Sequence, residues 1–261
     1  MIVNIVGLGK VSLSIARQIK NNVEFGYLVS RDFEKAKAIS KELGGIPASY
    51  NDIFLLNDVV LFGLSDSILP NAKILVALKV KDITAIHFSG FHASTIFPKD
   101  WNPASMHPNC AVADEFTKFK DVIFGLEGTE KGLSVANKIV EMLGGKSVVI
   151  PTEKKGLYHL AAVISSNFPI ALAYLSSILY SELGITDELS RKIISKLLKS
   201  VSENLAKYEI PDALTGPVKR GDWNIVNMER ELFEDILVKK QICSENLYDE
   251  MINILRFISK K

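Results

Sequence analysis

The stretch that decides the fold is MIVNIVGLGKVSLSIARQIK, residues 1–20. An apolar run, I-V-N-I-V, leads into G-L-G-K-V-S, and an amphipathic segment follows. Gly7 and Gly9 occupy the first two positions of a G-x-G-x-x-G turn, and Ser12 holds the third. In that strand–turn–helix context Gly7 permits the tight turn and Gly9 lets the backbone approach a pyrophosphate. The turn Gly7, Leu8, Gly9, Lys10 and Val11 then offers helix N-terminal amides to an anion. Ser12, small and polar, reads as a packing substitution for the third glycine. A Walker loop is excluded, because Lys10 is followed by Val11 and leaves no hydroxyl for magnesium.

Working outward, residues 1–150 alternate β-rich runs (IVNIV, FGYLVS, DVVLFGL, ITAIHFS, DVIFGLEG, SVVIP) with helical stretches of 10 to 15 residues. This alternation predicts a mostly parallel, doubly wound α/β sheet covered on both faces. From Lys155 onward the pattern is helical: one helix to about Leu183, a second over about 187–208, the loop EIPDALTGPVKRGD, and two further amphipathic stretches. Two domains are expected, 1–150 for the dinucleotide and 151–261 a helical domain.

The next strand end decides the cofactor. YLVSRDFEKA places Ser30 and Arg31 at its tip, where a hydroxyl and a guanidinium suit a 2′-phosphate and favour NADP over NAD. Asp32 reads as the N-cap of the following helix. The ends FGLSD and HFSG bring Leu64, Ser65, Ser89 and Gly90 toward the nicotinamide half.

The bulk numbers narrow the class. Thirty-one Lys and Arg nearly balance 30 Asp and Glu, so no basic field points to nucleic acid. Two cysteines and four histidines, without metal-ligand spacing, predict no metal site and suit a reducing cytoplasm. The N-terminal apolar run has no basic segment before it and does not read as a secretory signal. Residues 160–180 approach membrane-spanning length, but Ser165, Ser166, Asn167 and Pro169 interrupt them, and a buried core helix is expected rather than a span. The R-G-D triplet, within a cytoplasmic profile, carries no adhesion reading.

The motifs GLGKVSLSIA, LVSRD, HFSG, MHPN, FGLEG, YHLAAVISSN and ALTGPVKRGD resemble the superfamily of NADP-dependent β-hydroxyacid dehydrogenases and pyrroline-5-carboxylate reductases. The likeness covers essentially the whole chain and is greatest to a branch of Rossmann-like proteins with a C-terminal helical domain of unknown function. It implies a Rossmann domain, an all-α domain of the 6-phosphogluconate dehydrogenase-like type, NADP (NADPH) as cofactor, and a homodimer through the helical domain. MHPN differs from the reductases' M-P-N by the inserted His107, and SSNFP stands where they carry G-S-G-P, so proline-forming chemistry does not transfer.

Reduction of a carbonyl or imine needs a proton donor and groups that fix the substrate. Lys155 and His159, four residues apart on one helix face, are similar to the dehydrogenases' K-x-x-x-N pair, with His in place of Asn. Lys154 offers a competing register. Asn167, two turns beyond His159, and His107, at a strand end, complete the candidate catalytic set. His87 and His92 read as packing or loop residues. Lys219 and Arg220 in ALTGPVKRGD are candidate anion holders, or part of a loop ending in the Asp222 cap. The reading is a cytoplasmic oxidoreductase acting on a small polar, carboxylate-bearing substrate; the alternative is a dinucleotide-binding sensor without turnover.

Overall fold

The computed structural model describes residues 1–52, 54–76 and 79–260. Among the described residues eight strands form one sheet: β1 Ile2–Val6, β2 Glu24–Val29, β3 Ile46–Ala48, β4 Leu56–Phe62, β5 Val80–His87, β6 Ala104–Pro108, β7 Ile123–Gly128 and β8 Lys146–Val149. Their order is β3-β2-β1-β4-β5-β6-β7-β8. All neighbours pair in parallel except β6 and β7, which are antiparallel. The direction of winding reverses between β1 and β4, and there a crevice opens beyond the strands' carboxyl ends.

The sheet is doubly wound because its strands are apolar on both faces. Along β4, Val59 and Leu61 join one core cluster while Val60 and Phe62 join the other. That is the period-two alternation of a strand buried on both sides. At the centre, buried Asn4 donates to the carbonyls of Asn57 and Val59 and accepts from the Tyr27 amide. One side chain thus ties β1 to its flanking strands, and a Cβ at Gly26 would lie 2.3 Å from its Oδ1.

The helices of this α/β region are α1 Lys10–Ile19, α2 Phe33–Leu43, α3 Ala72–Val76 and α4 Glu130–Met142. Asp32 caps α2 as expected, accepting from the Lys35 amide. Between β4 and β5 a 3-10 turn, Leu69–Asn71, leads into α3; residues 77 and 78 lie outside the described residues. Two strands, β3 and β6, are additional to the six runs read from sequence.

Beyond β8 come α5 Lys155–Glu182, α6 Asp187–Leu205, α7 Ile210–Ala213, α8 Pro217–Arg220, α9 Trp223–Phe233 and α10 Leu247–Ser259. A π-helical turn, Glu234–Val238, extends α9. Thus EIPDALTGPVKRGD is not an open loop but carries the two short helices α7 and α8. Asp222 stands at the N-cap position of α9, yet its carboxylate pairs with Arg220 instead of capping.

Compact packing divides the chain into residues 1–167 and 168–261, so the division falls inside α5, just before Pro169. Proline cannot supply the amide that would bond the Ser165 carbonyl, but the helix continues past it. The expectation that residues 160–180 form a buried core helix fails: only Lys155 of α5 is buried. Leu160, Ile164, Phe168 and Ile170 are all at least half exposed. The segment 152–182 is long and apolar enough to cross a membrane. An all-round apolar helix requires cover, and the described residues of this chain do not supply it.

Candidate functional site

A cavity of about 530 Å³ opens at the reversal point of the sheet. The turn Gly9–Ser12 forms one wall, Gly63–Asp66 after β4 a second, and Phe88–Gly90 after β5 a third; His107 and His159 line it beside Gly90. All of these residues lie in the first compact unit.

The G-L-G-K-V-S turn is shaped by close backbone approach. Gly7 has φ +93°, and a Cβ there would lie 2.7 Å from the Gly63 carbonyl oxygen. Only glycine tolerates both conditions. Conversely, a Cβ at Gly63 would meet the Gly7 oxygen at 2.3 Å and Ser12 Oγ at 2.4 Å. Ser12 is fully buried, and its hydroxyl lies 2.8 Å from the Gly7 carbonyl and 3.0 Å from that of Gly9. The hydroxyl therefore staples the turn. Leu8 contributes its backbone to the turn, while its side chain sits in the core, 5% exposed.

The first turn of α1 has Gly9 at its N-cap, no side-chain cap and no acidic residue. Its leading amides have no intrahelical acceptor and border the cavity through Lys10, Val11 and Ser12. Amides without intrahelical acceptors at the positive end of a helix dipole fit a pyrophosphate. Ser30 and Arg31 lie at the end of β2 outside the cavity lining; Ser30 is buried and accepts from the Asp32 amide, while Arg31 is exposed.

The substrate side is organised by α5. Its register is settled by burial: Lys155 points inward at 2% exposure, and Lys154 is exposed. Lys155 Nζ donates to Ser105 Oγ at 2.6 Å, and Ser105 donates to the Ser89 carbonyl at 3.1 Å. Ser89 Oγ accepts from the amides of Phe91 and His92, which fixes the loop after β5. Burial pulls the Lys155 pKa down to about 8, against the attraction of Glu127 and Asp66. Glu127, itself 2% exposed, accepts from the Ser94 amide, Ser94 Oγ and Thr152 Oγ1. These bonds satisfy a carboxylate that would otherwise be too costly to bury. Lys155 does not line the cavity; it anchors the loop that does.

His107 does line it. Burial, followed by the Lys155 charge, lowers its pKa to about 4, so the ring is neutral at pH 7. Its Nδ1 lies 2.9 Å from the Tyr158 hydroxyl, which also bonds Asn109 Oδ1 at 2.9 Å. His159 packs at a ring-centroid distance of 6.0 Å from His107 and leaves its buried Nδ1 without a protein partner. A Cβ at Gly90 would lie 2.4 Å from that nitrogen and 2.9 Å from His107 Nε2, so glycine keeps the space between the imidazoles open. Leu64, Ser65, Ser89 and Gly90 all border the cavity. Asn167 is exposed on α5, takes a bond from Ser166 Oγ and does not line it. His87 is fully buried, with its pKa lowered to about 3 chiefly by burial, and stacks edge-on against Phe97 as a packing residue.

Sequence reasoning passed over Tyr158, Asn109, Ser105, Glu127 and Gly63. Two signals were available: Gly63 and Gly125 interrupt apolar strand runs, a mark of close approach. A Cβ at Gly125 would lie 2.3 Å from the Tyr158 hydroxyl.

With this geometry in place, comparison with known proteins fixes the family. The DUF2520 profile, described as a domain of unknown function, matches residues 122–253. The chain belongs to the DUF2520 family. Protein TM1727 from Thermotoga maritima is 38% identical, with 99% of this chain and 98% of that one aligned at a TM-score of 0.82. Two more distant structures share the fold. Pyrroline-5-carboxylate reductase from Streptococcus pyogenes is 16% identical at a TM-score of 0.66, covering 98% of each chain. An imine reductase from Myxococcus stipitatus, in complex with NADP+, is 10% identical at 0.68, covering 100% of this chain and 94% of that one. A search of curated proteins returns no match. Rossmann-like α/β architecture followed by a helical region is thus common to the DUF2520 chain and these reductases.

Proposed function

We propose that this protein is an NADP-dependent oxidoreductase that moves a hydride between the nicotinamide and a small polar carbonyl or imine substrate. The observation that carries the reading is the uncapped, acid-free N-terminus of α1 opening into a cavity that His107 and His159 also line. Gly9, Lys10, Val11 and Ser12 would hold the pyrophosphate, and Ser30 with Arg31 the adenosine 2′-phosphate. The nicotinamide, when bound, supplies or accepts the hydride. The names of the structural neighbours, an imine reductase with NADP+ and a pyrroline-5-carboxylate reductase, support the same class of chemistry.

Fluorescence titration tests the first step. NADPH should bind more tightly than NADH, and failure of both to bind removes the reading. NADPH oxidation over a panel of keto acids, imines and aldehydes then tests turnover. A second reading, a sensor that binds NADP without catalysis, is favoured by one observation: Lys155, the expected proton donor, is buried on Ser105 rather than facing the cavity. Absence of turnover across that panel, with NADPH bound, selects the sensor.

The reading includes a homodimer, in the cytoplasm. The exposed apolar length of α5 is the surface that a second copy would cover, because burial of such a helix in water is strongly favoured. Sedimentation equilibrium should return twice the chain mass, and a monomer at micromolar concentration contradicts this part.

A further inference from the structure

We propose that Asn109 and Tyr158 hold His107 in its Nδ1–H form, so that Nε2 presents a lone pair to the cavity and recognises an N–H or O–H donor on the substrate. The assignment of a substrate to this cavity rests on the function proposed above; the proton position in His107 does not.

Hydrogen-bond direction propagates from the Ile123 carbonyl, through Asn109 and Tyr158, to His107. Asn109 Nδ2 donates to the Ile123 carbonyl at 3.0 Å, and the Asn109 backbone amide donates to the same oxygen at 3.0 Å. This orients the amide: flipping it would set Oδ1 against a carbonyl oxygen, two acceptors facing each other. Oδ1 therefore faces Tyr158 and can only accept, so the phenol hydrogen points to Asn109. With its hydrogen committed, the phenol oxygen must accept at its 2.9 Å contact with His107. Nδ1 therefore carries the hydrogen. A neutral ring then has its lone pair on Nε2, and the low pKa of His107 keeps the ring neutral across the ordinary pH range.

His87, at the end of the neighbouring strand, has the opposite arrangement. Its Nδ1 accepts from the Ser89 amide at 3.2 Å, so its hydrogen is on Nε2. The difference between the two rings is not a property of strand ends in general; it comes from Tyr158. That residue is admitted by Gly125, where any Cβ would collide with the phenol.

The surroundings of Nε2 are of mixed charge, with buried Lys155 ahead of Asp66 in its effect on the ring. Nε2 borders the open space above Gly90, and Asp66, a carboxylate, lines the same cavity. The selectivity comes from the lone pair itself, which accepts from a hydroxyl or an N–H and has nothing to donate to a carboxylate oxygen. With a substrate in the cavity, His107 Nε2 would accept the hydrogen bond of that hydroxyl or amine and so orient it. Tyr158 and Asn109 act through His107 and are positioning residues.

The test reads the ring nitrogens directly. In protein labelled with 15N-histidine at pH 7, long-range 15N–1H correlation spectra show which ring nitrogen carries hydrogen, and His107→Gln assigns the signals. His107 should show a bare Nε2 and a protonated Nδ1, with His87 giving the reverse pattern as an internal standard. Tyr158→Phe and, separately, Asn109→Leu should move His107 toward a mixture of both forms and leave His87 unchanged. A wild-type His107 with its hydrogen on Nε2, or no movement in either folded variant, overturns the proposal. Titration of the same protein with isopropylamine should shift His107 Nε2 more than sodium acetate does; the reverse order overturns the recognition step. These spectra need no bound NADP, so a protein that fails to bind NADPH but shows the expected tautomers defeats the function reading alone.

Discussion

Two helices of the α/β sheet begin in the same way, on a turn directly after a strand, yet their first turns are built for opposite purposes. Helix α4 starts at Thr129, whose hydroxyl accepts from the Gly132 amide, and Glu130 follows as a carboxylate at the positive end of the dipole. Helix α1 starts at Gly9 with neither a cap nor an acid. Helices α2 and α6 follow the α4 design, with Asp32 and Thr186 as caps and acidic residues behind them. A missing cap costs about 0.5–2 kcal/mol. Helix α9 also lacks a side-chain cap and an acidic first turn, but α1 alone of these borders the cavity between the sheet's strand ends, which is the arrangement the proposed anion site calls for.

The strongest way to break this contrast is to give α1 what α4 has. Gly9 is extended, φ −84° and ψ 175°, an ordinary N-cap geometry, although a Cβ there would sit 3.1 Å from the Gly63 oxygen. In Gly9→Asp the carboxylate would occupy the amides itself and repel the pyrophosphate. Hydrogen bonds to a charged group contribute about 1.5–3 kcal/mol each, so the Kd for NADPH should rise at least about a hundredfold. Titration of NADPH fluorescence checks it, and unchanged affinity in the folded variant contradicts the anion-site reading of α1. Next in size is Arg31→Ala. Removing one guanidinium from the 2′-phosphate should weaken NADPH about ten- to a hundredfold and leave NADH unchanged. Equal loss for both cofactors would remove Arg31 from 2′-phosphate recognition.

The contrast between α1 and α4 was half visible in the sequence. G-L-G after an apolar run, S-R-D at the second strand end and the Asp32 cap could all be read because each depends on neighbours within a few residues. So could the sheet, whose strands carry near-continuous Val, Ile and Phe. The antiparallel β6 was harder: ASMHP is short and partly polar, and it is made a strand by β7 beside it. Tyr158 was passed over because a tyrosine next to a histidine on an apolar helix looks like packing. Its meaning depends on Gly125 and Asn109, which lie 33 and 49 residues earlier in the chain. The exposure of α5 was missed for a different reason. Hydropathy states that an apolar helix must be covered, but not that the cover belongs to the same chain.

Thr129→Ala sharpens the comparison from the α4 side. The hydroxyl accepts from Gly132 and donates to the Pro103 carbonyl at 3.3 Å, so its loss should cost about 1–2 kcal/mol. For a chain of this size that lowers Tm by several degrees, measurable by circular dichroism, with NADPH affinity unchanged. If the variant instead loses affinity, the two helix starts are not independent and the division of labour fails.

The smallest effect is expected at Ser12→Gly, which restores the third glycine of the fingerprint. If that position served the cofactor, the glycine would tighten NADPH binding. The structure gives Ser12 a different part, since its hydroxyl closes the turn onto the Gly7 and Gly9 carbonyls and fills the contact with Gly63. Removing it leaves the Gly7 carbonyl short of a partner, for a loss of about 1 kcal/mol of stability. The amides that face the cavity belong to the backbone and remain where they were, so NADPH affinity should change less than about threefold, below about 0.7 kcal/mol. Paired thermal melts and titrations separate the two quantities. A stability loss with affinity held makes Ser12 part of the turn's construction, as Thr129 is part of the α4 cap; a gain in affinity would return the third position to the ligand.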